Sequence, residues 1–579
     1  MTKKEWLSII ALTIMVAFIS FARLGDRHAP QTSWTPQFGE YALVRFPAPV
    51  DVGALMFRMG ARHDQGFHVT FSRDGTAWEH LHQVNSANVF YWTHVPLREV
   101  VQYIRIMATG HELRLQEVAF LGTNAIAWGG FDLLTPEAYA LFDEQHLVPE
   151  RRTFMNSTYF DEIYHPRAAY EYVHGLWVFE NTHPPMGKNF IALSVRLFGM
   201  TPWAWRMPGT LFGVLMVPLL YAFARVLFKH HGWAMFAATV FAFDFMRFTQ
   251  TRLATIDTYV TFFVLAMYFC MFLYVREVNR YVTDRKNYEG AFLLRSLLML
   301  AACGAMMGLA VASKWQGVYG ALGLPVLFFP ALYKLYCAEP RYEKRLSRTT
   351  FMACFGFFIA VPVVIYALSY IPFALAQGQG WRGAWDNQQH MFSYHAHLVA
   401  EHGFASNWWS WPLMLRPLWL YVNRISAEIN AGMSTLGNPA VWWFGVVATA
   451  GAVWAVVKRK TVGAAHTRKP LKRLDPNFVM ENERYALIFI LTAYGFNFLP
   501  WALISRLTFI YHYFPSVPFV VLLITWFFRR YLNRTALIVG YLTVVIGLFA
   551  FFYPVLSGWP MRVEFVHRWL TWLPGWVFM

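Results

Sequence analysis

Charge is scarce in this sequence: only 14% of its 579 residues are Asp, Glu, Lys or Arg, whereas 57% are hydrophobic and 18% are aromatic. This balance excludes a soluble globular enzyme of ordinary composition. It also excludes a disordered chain, because so much apolar surface would collapse or insert into a membrane rather than stay solvated. The composition therefore predicts an integral membrane protein.

Cysteine is rare, and the common nucleotide and metal motifs are missing. The four cysteines show neither C-x-x-C spacing nor a disulfide framework, which argues against a zinc module and a disulfide scaffold. Without a G-x-x-x-x-G-K-[ST] loop, a G-x-G-x-x-G fingerprint or an H-E-x-x-H motif, nucleotide-driven transport, dinucleotide redox chemistry and zincin proteolysis lose their usual support. The net charge of +16 does not indicate nucleic acid, because the basic residues lie mainly between hydrophobic runs.

Hydrophobic runs of spanning length predict an α-helical polytopic membrane protein with about eleven transmembrane helices. The first run, Trp6 to Ala22, follows the basic pair Lys3-Lys4, and cleavage after Ala22 as a signal peptide is the alternative. The other expected spans are 207–228, 232–248, 253–275, 296–313, 316–336, 351–372, 438–457, 485–505, 515–528 and 535–553. We divide the chain into a first helix (1–24), a β-domain (25–123), a first external loop (124–206), a multi-helix core (207–553, with an external loop at 373–437) and a tail (554–579).

Lysine and arginine are concentrated in alternate loops, which sets the expected topology. Basic clusters lie near 276–286, 341–348, 458–473 and 529–534, in the same set of connections as the N-terminal lysine pair. The N-terminus is therefore predicted to face the cytoplasm. The β-domain, the two external loops and the tail are predicted to be extracytoplasmic.

The β-domain is predicted from alternating segments between about Gln31 and Gly122. Tyr41 to Phe46, Phe67 to Phe71 and Gln102 to Ile106 alternate with period two, and Asp74-Gly75 supplies a turn. The pattern favours an antiparallel β-sandwich and resembles the discoidin-like, galactose-binding-like jelly rolls. Such a domain can bind carbohydrate, or it can serve only structure or docking.

Polar and ionisable residues gather on the predicted outer face, where they are candidates for function. The set includes Asp161, Glu162, Tyr164, His165, Thr182, His183, Lys188, Arg206, Asp244, Arg247, Arg252, Asp257, Lys314, Arg506, Tyr511, His512 and Tyr513. A carboxylate pair beside cations and aromatics suits transfer of a group from a phosphate leaving group to a hydroxyl. One carboxylate takes the hydroxyl proton while cations neutralise the charge that develops on the phosphate. The adjacent Asp-Glu pair alone is equally compatible with two solvated side chains.

Eight motifs in this order resemble the protein O-mannosyltransferases, glycosyltransferase family 39 of the type C superfamily. They are Phe160-Asp-Glu-Ile-Tyr-His165, Asn181-Thr-His-Pro-Pro-Met-Gly-Lys188, Trp205-Arg-Met-Pro-Gly209, Arg252-Leu-Ala-Thr-Ile-Asp257, Ser313-Lys-Trp315, Ser406-Asn-Trp-Trp-Ser-Trp-Pro412, Gly437-Asn-Pro-Ala-Val-Trp-Trp443 and Tyr511-His-Tyr-Phe-Pro515. The resemblance covers roughly residues 124 to 553. It implies an inverting, polyprenyl-phosphate-mannose-dependent membrane enzyme with its acidic pair in the first external loop.

Two departures from the family pattern stand out. A β-domain precedes the acidic pair, and the 373–437 loop lacks the large β-trefoil of eukaryotic members. The pattern is closer to bacterial members, which implies a multi-pass protein of a bacterial inner membrane. The expected reaction moves a sugar, with mannose favoured, to serine or threonine of secreted proteins on the extracytoplasmic side.

The resemblance implies that Asp161 is the catalytic base, with helix capping as the alternative. Glu162 is expected to orient the acceptor, contact the donor or hold a cation. Donor and phosphate binding is expected from His183, Lys188, Arg206, Arg252, Lys314, Arg506, Tyr511 and His512. The cations among them have alternatives as interfacial anchors or, for Arg206, as an ion-pair partner of the acidic pair. Acceptor or sugar contacts are expected from Tyr164, His165, Trp408 and Trp409.

No cofactor is expected beyond the polyprenyl-phosphate sugar donor. The histidines of the 373–437 loop raise a divalent metal as the less favoured alternative, because they lack a clear helical ligand pair. Expected partners are the donor, a secreted or membrane protein acceptor and membrane lipids, without nucleic acid. The sequence leaves open a lipid or glycan acceptor, as in aminoarabinose transferases, and a non-catalytic glycan receptor, and it does not fix the oligomeric state.

Overall fold

A computed structural model describes residues 2–61, 65–86, 88–110, 113–123, 127, 129–339, 344–462 and 483–579. The chain divides into two compact units. The helical unit comprises Met1–Ala22, Asn181–Asn189 and Gly209–Met579, and the sheet unit comprises Arg23–Glu180 and Phe190–Pro208. Part of the predicted basic loops lies outside the described residues, namely Arg341, Arg468, Lys469, Lys472 and Arg473.

The described part of the chain contains eighteen α-helices of five or more residues, most of which fall in the predicted hydrophobic runs. In chain order they are α1 (Lys3–Phe21), α2 (His165–His174), α3 (Met186–Phe198), α4 (Pro202–Phe228), α5 (His231–Ala242), α6 (Phe245–Thr251), α7 (Asp257–Thr283), α8 (Arg285–Ser313), α9 (Gly317–Ala321), α10 (Leu324–Ala338), α11 (Arg345–Phe355), α12 (Val361–Ser369), α13 (Ile371–Leu375), α14 (Gly380–His397), α15 (Pro439–Val462), α16 (Glu483–Phe498), α17 (Val517–Tyr531) and α18 (Thr535–Ser557).

Ten segments of the described chain are helical, long and apolar enough to cross a membrane. They are Lys3–Phe21, Pro202–Phe228, Asp257–Thr283, Ala291–Ser313, Gly317–Ala338, Arg345–Leu375, Pro439–Lys458, Glu483–Leu503, Ile510–Tyr531 and Thr535–Ser557. Each corresponds to one of the expected spans, so the polytopic helical fold is confirmed.

The remaining expected span, 232–248, is not one helix. It is divided into α5 and α6, because the carboxylate of Asp244 accepts a hydrogen bond from the backbone N–H of Arg247 and caps a new helix. The same carboxylate accepts from the indole N–H of Trp442 at 3.0 Å and from the backbone N–H of Asn438 at 3.2 Å. Hydropathy alone predicts one apolar helix over 232–248, because it does not detect the helix cap formed by Asp244.

The sheet unit contains the predicted β-rich region. Its strands are β1 (Tyr41–Met59), β2 (Gln65–Ser72), β3 (Glu79–Ser86), β4 (Trp92–Ala108), β5 (Leu115–Gly122) and β6 (Asp132–Leu133). They form one antiparallel six-stranded sheet in the order β3-β2-β4-β1-β5, with β6 also paired to β1. Register shifts interrupt the pairing of β1 with β4, and inward-facing residues of the strands share one apolar core.

The predicted 373–437 loop has its own regular structure. It contains α14 and two strands, β7 (Leu418–Arg424) and β8 (Ile429–Thr435), which pair with each other and with β9 (Met561–Arg562) from the tail. The loop therefore joins the tail in a three-stranded sheet.

Candidate active site

The acidic pair of the sheet unit lies on a single turn of 3-10 helix, Phe160–Ile163, that leads into α2. Phe160 has a positive φ of 50°, a strained conformation for a bulky side chain. Strain of this kind persists only where the surroundings impose it, and it is common at functional sites. The turn buries Glu162 fully and leaves the next-door Asp161 partly exposed.

Glu162 is held by Arg206, and both side chains are buried. Arg206 Nε and Nη2 donate to the two carboxylate oxygens at 2.7 and 2.6 Å. Arg206 also donates to the carbonyls of Leu24, Phe154 and Ser157. These contacts favour the ion-pair alternative for Arg206, in which it positions the acidic turn, while a phosphate contact stays a prediction.

Arg206→Met is expected to lower the free energy of unfolding by about 3–5 kcal/mol, because it leaves the Glu162 carboxylate buried without its partner. Thermal unfolding of the purified protein measures this loss. Arg45→Met is the matched control in the same unit, since the Arg45–Asp132 pair is exposed and screened by water, so that its loss is expected to change stability little. Equal losses in the two variants would contradict the assignment.

The predicted acceptor residues of the sheet unit differ in exposure. Tyr164 is exposed, whereas His165 is buried at the start of α2, with Nδ1 at 3.8 Å from a carboxylate oxygen of Glu180. Because Tyr164 is exposed, it is accessible to an acceptor. His165 instead interacts with Glu180 of the same unit. Acceptor contact by either residue stays a prediction.

The helical unit contains a cavity of about 420 Å³ that collects several predicted donor residues. It is lined by His183, Lys314, Trp315, Gln316, His395 and Arg506, among others. Lys314 follows α8 in a tight turn. The backbone of Gly317 comes so close to the helix that a Cβ at this position would lie 2.7 Å from the carbonyl carbon of Ala310. The turn places the ammonium 2.7 Å from Asp257 and 5.1 Å from the ring centre of Tyr511.

Arg506 is the cation of this cavity that is available to a ligand. It is half-buried, and within the described residues its guanidinium makes no hydrogen bond or ion pair. Gln316 is also suited to a ligand, because it is 5% exposed and its Oε1 has no hydrogen-bond partner among the described residues. Its Nε2 donates to the carbonyl of His512 at 2.8 Å, which fixes the orientation of the amide. The cavity therefore offers an anion-binding group and an acceptor for a hydroxyl.

His183 and Lys188 belong to one turn at the start of α3. Lys188 is buried, and its ammonium donates to the carbonyl of His183 at 2.9 Å. The ring of His183 packs edge-on against His395 of α14, with ring centres 5.2 Å apart. His183 thus lines the cavity as a side chain, whereas Lys188 supports the backbone behind it.

His395 is held neutral in this setting. Burial lowers its pKa from an ordinary 6.5 to about 4, and the nearby His183, Arg506 and Lys314 act in the same direction. Its Nε2 lies 2.8 Å from the carbonyl of Thr182, so Nε2 carries the proton. Nδ1 is then an acceptor, and it has no partner among the described residues.

The lowered pKa predicts a pH-dependent stability. Between pH 6.5 and about 4 the unfolded chain binds a proton at His395 that the folded chain does not, so stability falls as the pH drops through this range. Replacement by Gln is expected to flatten this part of the pH profile of the unfolding temperature. His397→Gln, an exposed neighbour, is the control and should keep the wild-type slope. An unchanged slope in His395→Gln would contradict the prediction.

The other predicted residues of the helical unit are mostly packed. Arg252 donates to the carbonyl of Ala22 at 2.9 Å, and His512 stacks on Trp411. Trp408 packs against Phe498 and Trp409 is exposed, and neither lines the cavity. Sugar contact by Trp408 and Trp409 therefore stays a prediction.

Three residues that line the cavity, Gln316, His395 and Trp501, were not assigned a site role from the sequence, and Asp257 beside the cavity was named only as an outer-face candidate. Asp257 is the last residue of the motif 252–257, and Gln316 directly follows the motif 313–315, so the signal for both was present. His395 was weighed only as a metal ligand. Within the described chain, the one group of three metal-type ligands is Glu117, Asp143 and Glu144 of the sheet unit, not the loop histidines.

The spans are those of an integral membrane protein, and comparison with known proteins identifies its fold and class as those of a type C glycosyltransferase. A solved structure of the Saccharomyces cerevisiae protein O-mannosyltransferase Pmt1-Pmt2 complex bound to the sugar donor shares this fold, with a TM-score of 0.59 and 16% identity over 73% of this chain and 89% of that chain. Two family models match: dolichyl-phosphate-mannose-protein mannosyltransferase at residues 199–376, and the C-terminal four-TMM region of protein-O-mannosyltransferase at residues 380–576. Together they take in more than half of the chain. The chain belongs to the protein O-mannosyltransferase family.

Curated relatives agree with this assignment. The polyprenol-phosphate-mannose–protein mannosyltransferase of Mycobacterium tuberculosis is 25% identical over 76% of this chain and 88% of its own length. The protein of the same name from Corynebacterium glutamicum is 22% identical over 77% of this chain and 90% of its own length. The family, the fold class and the enzyme class predicted from the sequence are confirmed.

Proposed function

We propose that this protein transfers mannose from polyprenyl-phosphate mannose to serine or threonine hydroxyls of secreted proteins. The observation that carries the proposal is Arg506: a guanidinium without a hydrogen bond or ion pair among the described residues, in a cavity that also contains Lys314. Guanidinium groups bind phosphate oxygens bidentately, which suits a phosphate-linked donor. The activity for which the two bacterial relatives are named, mannose transfer from polyprenol phosphate to protein, supports the same donor and the same kind of acceptor.

The proposed reaction is a single displacement. Asp161 takes the proton of the acceptor hydroxyl as its oxygen attacks the anomeric carbon, and the bond from that carbon to the phosphate oxygen breaks. The phosphate leaves with the electron pair, and Lys314 and Arg506 offset its charge. Attack opposite the leaving group inverts the anomeric centre, so one base suffices and no enzyme nucleophile is needed.

We further propose that the reaction takes place on the extracytoplasmic side of a bacterial inner membrane. The alternation of basic loops supports this side for the first external loop and for the 373–437 loop. On that side, secreted chains are available as acceptors. The donor's polyprenyl tail would remain in the bilayer while its phosphate and sugar enter the protein.

An acceptor comparison tests the proposal. The purified protein in lipid vesicles is given polyprenyl-phosphate mannose labelled in the sugar, together with a Ser/Thr-rich peptide or the same peptide with alanine at those positions. Label is expected on the first peptide and not on the second. Label on a lipid or glycan acceptor, with the Ser/Thr peptide unlabelled, would overturn the proposed acceptor while keeping the donor.

A further inference from the structure

Helix α14 has three faces of different character. Its buried side carries Ala384, Asn387 and Met391. At about 100° per residue, Trp381, Trp385 and Phe392 fall within about 40° of one another on a second face. These three side chains are 58%, 66% and 68% exposed, although they are among the largest apolar groups of the helix.

The third face of α14 is polar. Arg382, Asp386, His390, Ser393 and His397 are all exposed, and their mean direction lies about 120° from the aromatic face. The helix therefore rests on the protein along one side, presents aromatic rings along the next and presents charged and polar groups along the last. This division is typical of a helix that lies in a membrane interface.

The chain before α14 indicates what covers the aromatic face. The apolar segment Arg345–Leu375 ends five residues before Gly380, and only 6% of its most apolar stretch is buried inside the protein. That segment faces lipid, and its last residue, Leu375, is 75% exposed. Trp381 follows within a few residues, at the depth where tryptophan is enriched at the boundary between hydrocarbon and headgroups.

We propose that α14 lies on the bilayer surface, with Trp381, Trp385 and Phe392 inserted among the lipid headgroups and its polar face toward water. A phospholipid surface is the occupant that fits, because one face is aromatic, the neighbouring face is polar, and the helix continues from a lipid-facing span. A second protein chain would require no such division of the exposed side.

The same helix is joined to the cavity by two hydrogen bonds. Asn387 Nδ2 donates to the carbonyl of Asn181 at 2.7 Å, and His395 Nε2 donates to the carbonyl of Thr182 at 2.8 Å. The two carbonyls are consecutive and lead directly into His183, which lines the cavity. Residues 395–399 line it as well. The surface helix thus holds the turn that carries His183. A catalytic role for these two hydrogen bonds rests on the proposed donor site, whereas the position of the helix on the bilayer does not.

Spin labels test the proposal without any donor, so its failure is distinguishable from failure of the proposed function. In a variant with the four native cysteines replaced by alanine or serine, a single cysteine is introduced as Trp385→Cys or Phe392→Cys, with Asp386→Cys and Ser393→Cys as matched controls on the polar face. In phospholipid nanodiscs, labels at 385 and 392 are expected to be several-fold more accessible to oxygen than to a water-soluble nickel chelate. Labels at 386 and 393 are expected to show the reverse order.

Two results would overturn the proposal. Equal access of nickel to both faces would place the aromatic face in water, and shielding of 385 and 392 from both reagents would place it under protein, such as a second copy. Hydroxyl-radical footprinting of the unmodified protein covers the case in which the cysteine replacements impair folding. In nanodiscs, Trp381, Trp385 and Phe392 are expected to be oxidised at least threefold more slowly, relative to intrinsic reactivity, than His390 and His397; equal rates would contradict the bilayer contact.

Discussion

Asp161→Asn is expected to lower the turnover number by about two orders of magnitude or more, the usual contribution of a general base. Asparagine has nearly the same shape but cannot take the proton of the acceptor hydroxyl. The side chain is partly exposed, and the buried ion pair of Glu162 and Arg206 holds the turn, so folding is expected to stay near normal. The measurement is the rate of mannose transfer at saturating donor and acceptor.

Asp132→Asn is the matched control for this variant. Asp132 lies in the same unit, and its side chain is 57% exposed in a surface pair with Arg45. Its turnover is expected to equal that of the wild type. An Asp161→Asn enzyme within about threefold of wild type would remove Asp161 from the role of base, because that loss is far below what a general base contributes.

Arg506→Ala is expected to weaken the apparent affinity for polyprenyl-phosphate mannose by about ten- to a hundredfold. A hydrogen bond to a charged group contributes about 1.5–3 kcal/mol, and each 1.4 kcal/mol is a factor of ten. Arg506 is chosen over Lys314 because removing Lys314 would also leave the carboxylate of Asp257 without its ion-pair partner. Titration of the donor at fixed acceptor concentration measures the effect.

Two further variants serve as controls for the donor affinity of Arg506→Ala. Arg506→Lys is expected to recover part of the affinity, since it keeps the charge and loses the planar fork. Arg424→Ala, at an exposed position at the end of β7, should bind the donor as wild type does. If both the apparent affinity and the maximal rate of Arg506→Ala match wild type, the phosphate assignment of Arg506 is wrong.

The spans and strands could be predicted because they depend on local pattern. Length and hydropathy located ten helical spans, and period-two alternation located parts of β1, β2 and β4. The division of 232–248 could not be found in this way. It depends on Asp244, whose hydrogen bonds to Asn438 and Trp442 come from residues 194 and 198 positions further along the chain.

The candidate site was predictable as a set of residues and not as a set of contacts. The motifs named Glu162, Arg206 and Lys314, but a single sequence does not show that Glu162 pairs with a residue 44 positions away or that Lys314 pairs with one 57 positions away. These pairings distinguish the roles of the cations. Arg206 is bound to Glu162 in its own unit, whereas Arg506 is available to a ligand. The place of His395 in the cavity could not be predicted, because it depends on a hydrogen bond from α14 to the carbonyl of Thr182, and only the folded chain brings these two groups together.

The most direct test of the central claim is a mass balance of one reaction. The purified protein is incubated with polyprenyl-phosphate mannose and a Ser/Thr peptide, and both products are measured by mass spectrometry. We expect equal amounts of polyprenyl phosphate and of peptide heavier by one hexose, with the anomeric configuration of the hexose opposite to that in the donor. Polyprenyl phosphate released without hexosylated peptide, or a peptide whose sugar retains the donor's configuration, would contradict the account.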